Sequence, residues 1–274
     1  ESRGLGDVYK RQMKNLFLFL FLLVVFTSKA QDNRVSGLNS RQFTKYWKVE
    51  SESPDYKVTF QGDTAEIVSP KGLTLWRKEK MSGKVTIEYD ACVVVESDGD
   101  RLSDLNCFWM ASDPQYPDNL WKREKWRSGI FLNCYSLQLY YLGYGGNHNS
   151  TTRFRRYDGD ESGITNPKAR PAILKEYTDA GHLLKPNHWY HIKITNENNR
   201  VSYYIDGERL VDFRDAEPLR EGWFGFRTTL SRTRITNFSY ECSSQEAAAV
   251  PLQWIGETPV SYTHLRAHET PEHL

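Results

Sequence analysis

Cysteine and methionine are scarce: 4 Cys and 3 Met in 274 residues. Cys92, Cys107, Cys134 and Cys242 show no zinc-ligand spacing, which excludes a thiolate metal centre. An excess of one charge is missing too, with 36 Lys+Arg against 35 Asp+Glu and a net charge of +1. With 39% hydrophobic and 26% charged residues, this argues against disorder, an obligatory nucleic-acid binder and a multi-span membrane protein. Long apolar runs are absent. The longest, Leu16–Phe26, falls short of the roughly 20 residues that a spanning helix needs. Nor is there a spaced set of three acids on one strand. Glu88-Tyr89-Asp90 comes nearest and lacks the third, which counts against a glycosidase of the glucanase type. His188 and His191 fall on opposite faces of a strand and so share no metal.

What the chain does have is aromatic side chains, 14% of its residues, with 8 Trp and 16 Tyr. Its two ends stand apart from the rest. Residues 1–12 (ESRGLGDVYKRQ) and the start of 260–274 (VSYTHLRAHET) read as translations of opposite strands of one DNA sequence, similar to a transposase-type sequencing adapter. Both are set aside from fold reasoning. Residues 13–30 carry a Lys14 n-region, the short apolar run and a Ser28-Lys29-Ala30 cleavage site. That is the pattern of a bacterial signal peptide, so the expected location is periplasmic or extracellular. In that compartment the four Cys form one or two disulfides, or stay free and buried; their apolar neighbours favour the second. After Cys242, residues 243–259 turn small and polar, as a linker or the truncated start of a second, lost C-terminal domain would.

Residues 31–242 are expected to form one all-β domain. Strand signals recur from Lys57–Phe60 to Thr233–Glu241, rich in Val, Ile, Thr, Tyr and Phe at period two. They include Lys84–Glu96, Gly129–Leu132, Ser136–Tyr141 and Thr152–Tyr157. Glu197-Asn198-Asn199-Arg200 and Ile205-Asp206-Gly207-Glu208 predict tight hairpins. Short helices are expected near Ser40–Tyr46 and Pro171–Thr178.

The run HWYHIKITNENNRVSYYIDGERLVDFRD, followed by GWFGFRTTL, resembles the concanavalin-like jelly-roll β-sandwich of laminin-G, lectin and glucanase type. More narrowly, FWMASDP, RSGIF, YYLGYGGNHNSTTRFRRY and IDGERL resemble an exported bacterial jelly-roll family of unknown function. That family is related to the YesU-like proteins of pectin and rhamnogalacturonan degradation. The resemblance implies a glycan context and supplies no reaction.

The segment Gln138–Tyr157 carries the most chemistry. On a strand, Arg153, Arg155 and Tyr157 share one face. An apolar core cannot take two unpaired guanidinium groups, so this face is solvent, a paired acidic site or an anion groove. One reading is a polysaccharide lyase that acts on uronic-acid polysaccharide or oligosaccharide by β-elimination. His148 and Tyr144 would move the protons, and Arg153, Arg155 and Asn147 would neutralise the carboxylate. The alternatives are a non-catalytic carbohydrate-binding module, a glycoside hydrolase and a structural role. Asn149, Trp109, Trp126, Tyr135, Arg127 and Arg227 complete the expected sugar-binding set, with core packing or ion pairing as the rival for several. No cofactor is expected. Asp98-Gly99-Asp100 with Asp104 has the oxygen ligands of a structural calcium site, and reads more plainly as an acidic turn.

Overall fold

A computed structural model describes residues 35–243 of the chain. The expected adapter translations, the signal peptide and the linker beyond Ser243 lie outside the described residues. The strands, in chain order, are β1 (Val35–Ser36), β2 (Trp47–Ser51), β3 (Lys57–Gln61), β4 (Thr64–Ser69), β5 (Leu73–Arg77), β6 (Met81–Ser82), β7 (Lys84–Val93) and β8 (Leu105–Ser112). They continue as β9 (Gln138–Gly145), β10 (Thr151–Asp158), β11 (Lys175–Tyr177), β12 (Tyr190–Glu197), β13 (Arg200–Ile205), β14 (Glu208–Arg214), β15 (Glu221–Thr228) and β16 (Ser231–Ser243). Two antiparallel sheets result. The back sheet runs β14-β13-β12-β7-β16-β4-β3, with β1 on β16. The front sheet runs β11-β10-β9-β8-β15-β5-β2, with β6 on β15.

Period-two alternation decides what lies between the sheets. Cys107, Trp109, Tyr140, Leu142, Tyr144, Phe154, Phe224 and Phe226 of the front sheet meet Ile87, Tyr89, Ile192, Ile194, Tyr203 and Ile235 of the back sheet. The hairpin at Asp206-Gly207 forms as expected, with Ile205 opposite Glu208 and positive φ of 51° and 84° at the turn residues. All four cysteines are free, three of them buried, so the thiols act as small apolar groups.

The front sheet is apolar on its outer face as well. Trp76, Phe108, Leu139, Tyr141, Tyr157 and Trp223 form a second core with Leu120, Cys134, Tyr135 and Leu137. The last four come from the β8–β9 connection, residues 113–137, which folds back as a cap of short helical turns. Gly129–Leu132 therefore is not the strand that its composition suggests. Ser128 and Gly129 are left-handed (φ 46° and 69°), Ile130 is exposed, and Phe131 and Leu132 pack on the second core without a strand partner. Pro171–Thr178 likewise holds no helix, because Lys175–Tyr177 pairs with β10 at the sheet edge. Only Phe43–Tyr46 of the first expected helix forms, and the next residues become β2.

The cap is held by buried charge. Fully buried Arg127 donates from Nη2 to Glu50 Oε2 at 3.0 Å, and from the same nitrogen to the Leu120 carbonyl at 2.6 Å. Arg123 grips buried Asp113 with two bonds, at 2.7 and 2.9 Å, and also reaches Glu161. Burial pushes the Glu50 carboxyl above its ordinary pKa, and Arg127 opposes that rise. Breaking a buried pair by removing one partner leaves an uncompensated charge. Arg127→Ala or Glu50→Ala is therefore expected to cost about 3–5 kcal/mol in urea unfolding. The surface change Arg200→Ala, which removes an exposed pair with Asp212, should cost less than about 1 kcal/mol.

Candidate functional site

A groove of about 340 Å³ opens on the outer face of the front sheet, beside the cap. Strand register aligns its floor. Arg153 of β10 stands opposite Gly143 of β9, which is opposite Asn106 of β8, which is opposite Arg227 of β15. Thr74 of β5 and Glu50 of β2 extend the same row beneath the cap edge. In the next row Arg155 stands opposite Tyr141, which is opposite Phe108. Phe131 and Tyr135 wall the groove from the cap. Arg101, Asp104, Gly146 and Asn147 close the far end, and Glu52 stands at the rim.

Each floor residue has a distinct state. Arg227 is only 3% exposed and makes no ion pair among the described residues. Its Nη1 donates to the Gly129 carbonyl at 2.5 Å, and its guanidinium lies over the Phe131 ring. Gly72 makes room for this, since a Cβ there would meet Gly129 O at 2.3 Å and Arg227 Nη2 at 2.6 Å. Arg155 donates to the Pro171 carbonyl at 2.5 Å and also lacks an acid partner, whereas Arg153 pairs with Glu176 at 2.5 Å. Asp104 is saturated, accepting from Arg101 Nη1 and Ser103 Oγ on one oxygen and from Asn106 Nδ2 on the other. Tyr141 leans along its strand over Gly143. Burial raises the pKa of its phenol, Asp104 adds to the rise, and Arg227 and Arg155 oppose it. The phenol therefore stays protonated at neutral pH.

The expected site residues divide. Arg153, Arg155, Arg227, Asn147 and Tyr135 line the groove. Tyr144 does not: one residue past Gly143, it points to the inter-sheet core and donates to the Leu183 carbonyl at 3.3 Å. Trp109 is 0% exposed and packs on Phe154 and Tyr203, so it cannot stack on a sugar. Tyr157 is on the expected face, but the cap buries it against Tyr135 and Tyr141. Arg127 is spent on Glu50. Trp126 is 43% exposed, outside the groove, beneath the Arg123 guanidinium. His148 is exposed on the Gly146–Asn149 turn and does not line the groove. Asn149 uses both amide atoms on the backbone of Leu184, at 2.8 and 2.9 Å.

Tyr141, Asn106, Arg101 and Phe131 line the groove without having been singled out in the sequence. The register of β9 against β10 would have found Tyr141, since it and Gly143 share the arginine face. The expected calcium ligands serve the chain itself. Asp100 Oδ2 accepts the backbone N–H groups of Glu96 and Ser97, and Asp104 is saturated as above. Among the described residues, no group of three or more His, Cys, Asp or Glu is placed to hold a metal. A wider depression of about 700 Å³ lies on the back sheet around Thr195, Ser202 and Tyr204. Its exposed charges largely pair with one another, as in Lys84–Glu197 and Arg200–Asp212.

Comparison with known proteins places this architecture. The model of a family described as a domain of unknown function, DUF6250, matches residues 67–238. No curated protein matches the chain in sequence. A Bacillus subtilis protein of unknown function with a galectin-like fold is 16% identical, with a TM-score of 0.60. That match covers 78% of this chain and 96% of the other. The Emp47p carbohydrate recognition domain is 14% identical, with a TM-score of 0.50 over 78% and 96% of the two chains. The Ca2+/Man2-bound exoplasmic/lumenal domain of VIP36 is 9% identical, with a TM-score of 0.53 over 80% and 91%. At such identity the likeness shows the fold, the expected concanavalin-like jelly-roll sandwich.

Two predictions follow from the groove walls. A Cβ on Gly143 would lie 2.3 Å from the Tyr141 hydroxyl. Gly143→Ala is thus expected to displace that ring and cost about 1–3 kcal/mol in thermal unfolding, and to cost markedly less when made in a Tyr141→Ala background than in the wild type. The second concerns His182, which bonds Asp179 at 2.7 Å and Glu208 at 3.1 Å, while its carbonyl accepts from Thr152 beside the groove turn. Burial opposes its charge, but the two carboxylates outweigh burial and raise its pKa above 6.5. A raised histidine stabilises fully below the unfolded value and loses that effect as pH rises through the folded one. Protection of the Leu184 amide, taken relative to its intrinsic exchange rate at each pH, should therefore fall as pH rises from the ordinary histidine pKa of 6.5 through the raised one, and Asp179→Asn should weaken that fall.

Proposed function

The chain belongs to the DUF6250 family, whose function is unknown, and we propose that this member is a carbohydrate-binding module that holds its glycan in the front-sheet groove. One observation carries the reading. Four arginines line the groove, Arg101, Arg153, Arg155 and Arg227, against two carboxylates, with Phe131 and the exposed edges of the mostly buried Tyr135 and Tyr141 beside them. Planar rings suit the C–H faces of sugars, and guanidinium forks suit carboxylates. The structural neighbours that are named as a carbohydrate recognition domain and as a Man2-bound domain support a sugar ligand. The arginine excess and the resemblance to YesU-like proteins support an acidic, uronic-acid-containing polysaccharide. Export directed by residues 13–30 would put the module where such polymers occur.

Binding is preferred to β-elimination on chemical grounds. A lyase needs a base poised near the operating pH. Of the pair expected to move protons, Tyr144 faces the inter-sheet core and His148 does not line the groove. The phenol that is in the groove, Tyr141, is held protonated and suits a hydrogen-bond donor.

Affinity electrophoresis or calorimetry with polygalacturonate and other uronic-acid polysaccharides tests this reading. Retention is expected, weakened at least about tenfold in Arg153→Ala/Arg155→Ala through loss of charge-assisted bonds, with no rise in ultraviolet absorbance from an unsaturated product. Steady product formation would restore the lyase, and failure to bind any glycan would remove the groove reading.

A further inference from the structure

Three polar groups with hydrogen-bonding capacity left over lie side by side on the groove floor. The Arg227 guanidinium is 3% exposed, and among the described residues its Nε and Nη2 carry no hydrogen bond. Asn106, 6% exposed, keeps its Oδ1 buried without a donor. Its orientation is fixed, because Nδ2 must face the Asp104 carboxylate, to which it donates at 3.2 Å. The Tyr141 hydroxyl lies over Gly143, and both residues line the groove. Register makes these three neighbours, since Asn106 is opposite Arg227 on one side and Gly143 on the other. Directly opposite residues hold their Cβ atoms roughly 4.5–5.5 Å apart.

A buried polar atom left without a partner, as Asn106 Oδ1 is, is costly, and together with the donors of Arg227 and Tyr141 beside it in the groove it marks what a ligand can bring. Arg227 calls for an anion and Asn106 Oδ1 for a donor hydroxyl, while Tyr141 offers one hydrogen bond. The geometry points to a seat for a sugar bearing a free carboxylate next to a free hydroxyl, an unesterified and unacetylated uronate. The carboxylate lies on Arg227, within reach of the Tyr141 hydroxyl, and the neighbouring sugar O–H donates to Asn106 Oδ1. Arg155, in the next row, keeps the approach positive. Gly143 is what leaves the seat open, since any side chain there would occupy the Tyr141 hydroxyl position. A methyl ester removes the charge that Arg227 needs, and an O-acetyl group removes the donor that Asn106 needs.

This inference rests on the groove being the glycan site, so the test separates the two. Titration calorimetry would use galacturonate and glucuronate oligosaccharides, their methyl esters, their O-acetylated forms, and the neutral oligosaccharides of equal length. The wild-type protein is expected to favour a free acid over its ester, acetate and neutral counterpart by at least about tenfold each. Arg227→Lys, which keeps the charge and loses the fork, should narrow the acid-to-ester ratio. Asn106→Leu should narrow the ratio of free to acetylated acid and leave the acid-to-ester ratio in place. Equal binding of acid, ester and neutral forms overturns the seat and leaves the groove as a glycan site. Indifference to acetylation with a kept preference for acid overturns the Asn106 half. Binding of no oligosaccharide overturns both readings. The wild-type ratios decide the matter even if a variant fails to fold.

Discussion

The buried pair between Glu50 and Arg127 fixes the position of everything on the front face. A jelly-roll sheet usually buries one side and wets the other. This sheet carries Trp76, Phe108, Tyr141 and Tyr157 on its outer side, and a cap must cover them. Arg127 ties that cap to β2, while Asp113 and Arg123 brace its start. Burying ions in this way is an expensive means of attachment, and its return is geometric as much as energetic. The cap stops where the outer face turns polar, and the groove begins there. Arg227 belongs to both, because the carbonyl it holds, that of Gly129, is part of the cap.

The same division separates recognition from reaction. The groove has cations, rings and two carboxylates, groups suited to holding a ligand. A raised phenol donates a hydrogen bond well and ionises poorly. His148 sits on three consecutive left-handed residues, Asn147, His148 and Asn149. That turn serves as a wall, with Asn149 bracing it against Leu184.

Much of the sandwich was legible before any coordinates, because alternation and turn chemistry are local signals. The Asp206-Gly207 hairpin and the pairing of Arg153 and Arg155 on one face of β10 came from spacing alone. What spacing could not decide was which face of β9 mattered. Tyr141 and Tyr144 look alike in sequence, and only register with β8 and β10 puts one in the groove and the other between the sheets. Trp109 failed for the reverse reason: in a sheet with two apolar faces, composition does not say which face is the deeper. Gly129–Leu132 has strand composition, yet it is neither paired nor extended, because it covers a sheet that was already complete.

The cap also has a place in time. Glu50 and Arg127 are 77 residues apart, so their contact closes a long loop. The entropy of that closure is lost before the contact gives anything back. β2, β5, β8 and β15 have to be aligned before the cap has a surface to settle on, and the groove exists only once it has settled. The groove wall formed by Phe131 and Tyr135 therefore depends on a long-range closure as well as on strand pairing in the sandwich beneath it.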